Sequence, residues 1–196
     1  MIKKILLSAF FLFFALPVSV YLLLPPPSAL PPLPNSIQSI EPGDTIQLKG
    51  ATALYTDNIN RQEILNFYQD AYSYSSLKNL PLFSYRLNHP PEKAREVFVE
   101  TKQSYYLEEV IHPFRESLFI NGFEWDQDPF TPPEKRIKNR PEVEGKPWAN
   151  KISLMRLDNP ALIRLTLFWA AFYLLLLTLK AYFETTKSFF LKIKKK

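Results

Sequence analysis

The chain has 196 residues, a formal net charge of +5, no cysteine and four scattered glycines, Gly43, Gly50, Gly122 and Gly145. This excludes disulfides and cysteine-built metal centres, and no phosphate-cradling or dinucleotide-binding loop can be written from those glycines. A nucleic-acid surface is excluded as well: residues 25–160 carry 15 basic and 18 acidic side chains, a net charge of −3, and the positive surplus lies at the two ends of the chain.

Lys3 and Lys4 open the chain, and a nearly uninterrupted apolar run follows from Ile5 to Leu24. About 20 apolar residues in helical form cross a bilayer core. Residues 1–24 therefore predict an N-terminal transmembrane anchor; a cleaved signal peptide, leaving one span, is the alternative. The run is longer than a usual signal core, and no clean small-x-small pattern stands before a permissive residue, which favours the anchor. Residues 25–35 are rich in proline and predict an extended stalk.

Residues 36–125 predict the core of a small α+β domain, with a mixed or antiparallel sheet and two helices. Thr45–Leu48 alternates as a strand should, and Gly50 allows a bend before a second extended run, Ala51–Tyr55. Asn60 followed by Glu63 gives a capping-box pattern, and Ile64, Phe67, Tyr68, Ala71 and Tyr72 share one face of the helix that starts there. Phe83–Asn88 alternates strictly and predicts a half-buried strand. Pro90-Pro91-Glu92 predicts the start of a second helix, with Ala94, Val97, Phe98 and Thr101 as its apolar face. Residues 105–120 fit either period; Pro113 would interrupt a helix, so strands are the better reading. Asn121-Gly122 is a turn signal between Leu118–Ile120 and Phe123–Trp125.

Residues 126–148 combine prolines and charges without apolar periodicity and predict a long loop. Residues 149–158 predict a last strand. Residues 160–183 follow as a second transmembrane helix, uncharged from Leu165 to Leu179 and flanked by Arg164 and Lys180, whose long side chains can reach the headgroups. The tail, residues 184–196, ends in Lys194, Lys195 and Lys196. Lysines at both ends of the chain predict that both termini are cytoplasmic and the central domain extracytoplasmic.

No strong catalytic motif is present. The polar residues of interest are Arg86, His89, Glu108, His112, Arg115 and Ser117. Glu108, Glu109 and His112 would converge on one helix face as metal ligands if that stretch were helical. Ser117 has His112 and Glu116 close by in sequence but lacks a glycine-flanked elbow. Arg86 and Arg115 suit a carboxylate or phosphate. The reading that follows is a membrane-anchored extracytoplasmic domain that acts by binding, with no catalytic residue, metal or cofactor. Its partners are the lipid bilayer and another envelope or membrane protein. Two alternatives are an exported hydrolase using His112 with Glu108 or Ser117, and an accessory subunit of a membrane protein complex.

Overall fold

The computed structural model describes residues 11–40, 44, 50–98, 104–129 and 131–193. After a π-helical turn at Phe11–Ala15 come α1 (Leu16–Leu23), β1 (Ser36–Gln38), β2 (Ala51–Thr56), α2 (Arg61–Ser73), β3 (Tyr85–His89), α3 (Ala94–Val97), β4 (Tyr106–His112), β5 (Glu116–Glu124), α4 (Pro133–Arg136), β6 (Glu142–Val143), β7 (Lys146–Pro147), β8 (Asn150–Asp158) and α5 (Ala161–Ile193). The chain divides into two compact units, residues 25–158 and the two flanking segments together. Lys3, Lys4, Lys194, Lys195 and Lys196, the Thr45–Leu48 strand and Thr101 lie outside the described residues.

The central unit is α+β. Its sheet has six strands in the order β1-β2-β8-β5-β4-β3, every neighbouring pair antiparallel. The last strand in sequence, β8, lies in the middle, between β2 and β5. Alternation along β4 and β5 sends Val110, Leu118 and Ile120 to one face, where they meet Ile64, Leu65, Tyr68 and Tyr72 of α2. The opposite face holds Leu107, Phe119 and Met155 against Ala94 and Phe98.

α2 forms because its start is chemically specified. The Asn60 side chain accepts from the Glu63 backbone N–H, and the Glu63 carboxylate accepts from the Asn60 N–H, so two otherwise orphaned donors are satisfied. Leu65 joins the buried stripe alongside the predicted Ile64, Tyr68 and Tyr72.

Four expectations are corrected. The Asn121-Gly122 pair makes no turn: β5 runs straight through it, opposite Ser153 and Ile152 on one side and Leu107 and Tyr106 on the other. A two-residue hairpin turn needs positive φ at its glycine, and Gly122 does not have it. Gly122 is needed for space instead, because a Cβ there would overlap the ring of Tyr106. The second helix shrinks to one 3₁₀ turn, Pro91–Lys93, and the single turn of α3; Phe98 is already extended. Residues 126–148 are not a bare loop. They contain α4 and the β6–β7 hairpin, and Val143 and Trp148 are buried against Tyr55. The proline-rich segment belongs to the domain rather than standing clear as a stalk. Leu33 is buried in the α2 core, Ser28 N–H donates to the Ser75 carbonyl at 2.7 Å, and Arg156 donates to the Pro27 carbonyl at 2.9 Å. Prolines leave acceptors with no competing N–H, which suits them to arginine partners.

In the other unit, Ala161–Ser188 is a 28-residue helical stretch with a mean hydropathy of 2.0 in its most apolar window, and it is almost wholly exposed. At about 1.5 Å per residue it is about 42 Å long, more than the hydrocarbon thickness of a bilayer. It is the one helix among the described residues long and apolar enough to cross a membrane; the apolar helical run Phe13–Leu23 is shorter.

Candidate functional site

The six polar residues singled out in the sequence fall at four separate places, Ser117 standing alone at the last of them. Arg86 and Glu108 are on the α2 face of the sheet. Glu108 is buried and forms an ion pair with Arg61, the first residue of α2, while Arg86 Nε stands 3.7 Å from its other oxygen. His89 points to the opposite face, where Nε2 meets Glu109 at 2.8 Å. The reason is the two-residue period of the strand: Arg86 and His89 differ by an odd number of positions and must diverge.

His112, Arg115 and Glu116 make the third group, at the β4–β5 turn. All three are buried. His112 Nδ1 donates to Glu116 Oε1 at 3.0 Å, and Arg115 Nε donates to Glu116 Oε2 at 3.2 Å. The Arg115 Nη2 group reaches the Pro25 carbonyl at 3.0 Å and Ser76 Oγ at 3.2 Å. The His112 ring stacks on Tyr72 with centroids 4.2 Å apart and planes 5° from parallel. Burial alone would raise the Glu116 carboxyl, but the His112 hydrogen bond and the Arg115 charge outweigh it and hold it below its ordinary range.

Ser117 follows Glu116 and so faces the other side of the sheet, opposite Ile111 and Leu157. His112 therefore has a carboxylate partner, while its Nε2 is buried with no hydrogen-bond partner, and the neighbouring hydroxyl of Ser117 is turned away. Glu108 is four strand positions from His112, about 13 Å along the chain. Neither pairing brings a nucleophile and a base together. Among the described residues no three His, Asp or Glu side chains are grouped so as to hold a metal ion.

A shallow cleft of about 270 Å³ opens at the other end of the sheet, lined by Asn60, Arg61, Gln62, Tyr105, Tyr106, Glu124 and Gln127. Arg61 lies over the Tyr106 ring, 4.7 Å from its centroid, in cation–π geometry. Burial raises the Glu124 carboxyl, against the opposing charge of Arg61, and pushes the Tyr105 hydroxyl up to about 12. The cleft thus presents the Arg61 guanidinium and the Glu124 carboxyl, with the Tyr106 ring and the Tyr105 hydroxyl buried beneath them, an arrangement suited to polar groups. Only Glu108 links this region to the predicted cluster. Arg61, Tyr106 and Glu124 were not legible as a site, because they come from three elements whose contact depends on the antiparallel register of β4 and β5. The one local signal was Asn60-Arg61, a cap followed by a first-turn cation at odds with the helix dipole.

No family model matches the sequence, and neither a curated protein nor a solved structure gives a significant match to the chain.

Proposed function

We propose that the protein is a membrane-anchored interaction domain that holds the Arg61–Glu124 cleft away from the bilayer, outside the cytoplasm, to bind another envelope or membrane protein. One observation carries the reading. The domain's first and last residues, Pro25 and Asp158, are at one end of the sheet, next to Arg115 and Glu116, and the cleft is at the other. A domain tethered at one end presents its opposite end to partners. The polar cluster supports binding rather than catalysis, since its buried charges are engaged with one another and its serine faces away from its histidine. The apolar stretch within Ala161–Ser188 supports the tether, and basic residues at both chain ends support two spans with both termini inside.

The chain has no cysteine, so a single introduced thiol is a unique reporter. In intact cells, Gln62→Cys should react with a membrane-impermeant maleimide and Ser188→Cys should react only after permeabilisation. Equal labelling of both before permeabilisation would overturn the orientation. A photo-crosslinking residue at Gln62 should then yield a discrete adduct that Arg61→Ala or Tyr106→Leu removes. An adduct unaffected by either change would rule out the cleft as the contact.

A further inference from the structure

We infer that the end of the domain from which both chain ends leave carries an apolar rim that enters the interfacial layer of the bilayer. Several large apolar side chains are exposed there. Phe114, at the tip of the β4–β5 turn, is 85% exposed, Phe83 71% and Leu80 61%, and Tyr74 and Leu157 are about half exposed. Their positions are fixed from within the domain. Tyr74 ends α2, whose Tyr72 stacks on His112. The segment from Ser75 to Leu82 is held to that end by Ser76 Oγ on Arg115 and by Leu82 N–H on the Ser73 carbonyl. Phe83 precedes β3, where Tyr85 lies opposite Ile111, and Leu157 lies opposite Ser117.

The occupant follows from chain connectivity, and the inference rests on the anchored reading above. Pro25 follows Leu24, and only Asn159 and Pro160 separate Asp158 from the first residue of α5. Three residues reach at most about 10 Å, so this end of the sheet cannot leave the neighbourhood of the helix start. Exposed Phe, Tyr and Leu so near a bilayer find an environment that accepts them at the headgroup–acyl boundary, where amphipathic and aromatic side chains collect.

The turn geometry makes Phe114 the most telling member. Its φ is +62°, a region in which Gly or Asn is the ordinary occupant. A bulky aromatic in that conformation, pointing into solvent, has no role inside the fold. Contact with lipid gives it one.

The test uses the full chain reconstituted in vesicles of phosphatidylcholine and phosphatidylglycerol, with an environment-sensitive dye on one introduced cysteine. Leu80→Cys reports the rim, Gln62→Cys the opposite end and Leu174→Cys the span. Nitroxides on shallow lipid positions should quench the Leu80 dye strongly and the Gln62 dye weakly, and deep nitroxides should quench the Leu174 dye. Adding Phe114→Asn, which suits the left-handed backbone, should lower Leu80 quenching several-fold. If Leu80 is as unquenched as Gln62 while Leu174 is quenched, the rim does not touch lipid and the inference fails although the anchor stands. If Leu174 is unquenched, the anchor itself fails and the inference with it.

Discussion

Arg115 and His112 both donate to Glu116 inside the domain, and all three side chains are out of reach of water. Replacing one member of a buried charge pair leaves the other uncompensated, at a cost of about 3–5 kcal/mol. Glu116→Gln keeps the shape and one acceptor, so its loss falls at the lower end, about 3 kcal/mol, read by denaturant unfolding near neutral pH. Because the folded-state value of Glu116 lies below its ordinary 4.5, the unfolded chain takes up the proton first. Its contribution is therefore complete above about pH 4.5 and is lost as pH falls through the lower, folded value. The gap between wild type and Glu116→Gln should narrow in acid; a gap that stayed constant with pH would show that the charge is not what the site uses. Phe114 poses the opposite case. Phe114→Gly relieves the left-handed backbone and should change the stability of a fragment of residues 25–158 favourably by about 1 kcal/mol, read by denaturant unfolding. That gain would mark Phe114 as a residue kept for something other than folding.

Among the elements, β4 and β5 show best what periodicity reveals and what it hides. Alternating Leu107 and Ile111 against Leu118 and Ile120 already pointed to two strands, and the Asn60–Glu63 box already marked the start of α2. What the pattern could not carry was register. The same Asn-Gly that closes hairpins elsewhere sits mid-strand here because Tyr106 needs the empty space above Gly122. The real turn, Pro113-Phe114-Arg115, has no glycine at all. Likewise the strict alternation of Phe83–Asn88 correctly gives a strand, yet β3 is an edge, and Tyr85 and Leu87 remain substantially exposed. The predicted polar cluster dispersed for the same reason: odd and even strand positions look adjacent in sequence and lie on opposite faces. Gly122→Ala must move the Tyr106 ring, which is itself packed beneath Arg61, and should destabilise by about 1–3 kcal/mol. Tyr106→Leu should remove most of that penalty. A double-mutant cycle with near-zero coupling between the two positions would contradict the contact.

At the scale of the whole molecule, the proposed anchoring turns on how many apolar segments flank the domain: one helix among the described residues is long and apolar enough to cross a membrane. Residues 25–158 form a compact unit with their own core, and both ends of that unit emerge beside the β4–β5 turn. Neighbouring exits are what two antiparallel passes through one bilayer require, and lysines at each end of the chain fit a shared inner face. The helix beginning at Ala161 meets the length and hydropathy needed to span; for the N-terminal run, the described apolar helix Phe13–Leu23 is shorter than a bilayer core. A chain ended after Asp158 separates the possibilities. It loses α5 but retains every contact of the sheet, because β8, the strand that leads to α5, is kept whole between β2 and β5. It should therefore unfold in one cooperative step, followed by tryptophan fluorescence from Trp125 and Trp148. With an uncleaved first segment, the truncated protein should stay in the membrane fraction after alkaline extraction, keep its full N-terminal mass and label at Gln62→Cys from outside. Release into the supernatant with a shortened N-terminus would instead leave α5 as the sole anchor of the mature protein. The domain would then hang from one helix, and the lysines at the start of the chain would serve only to set its direction of export.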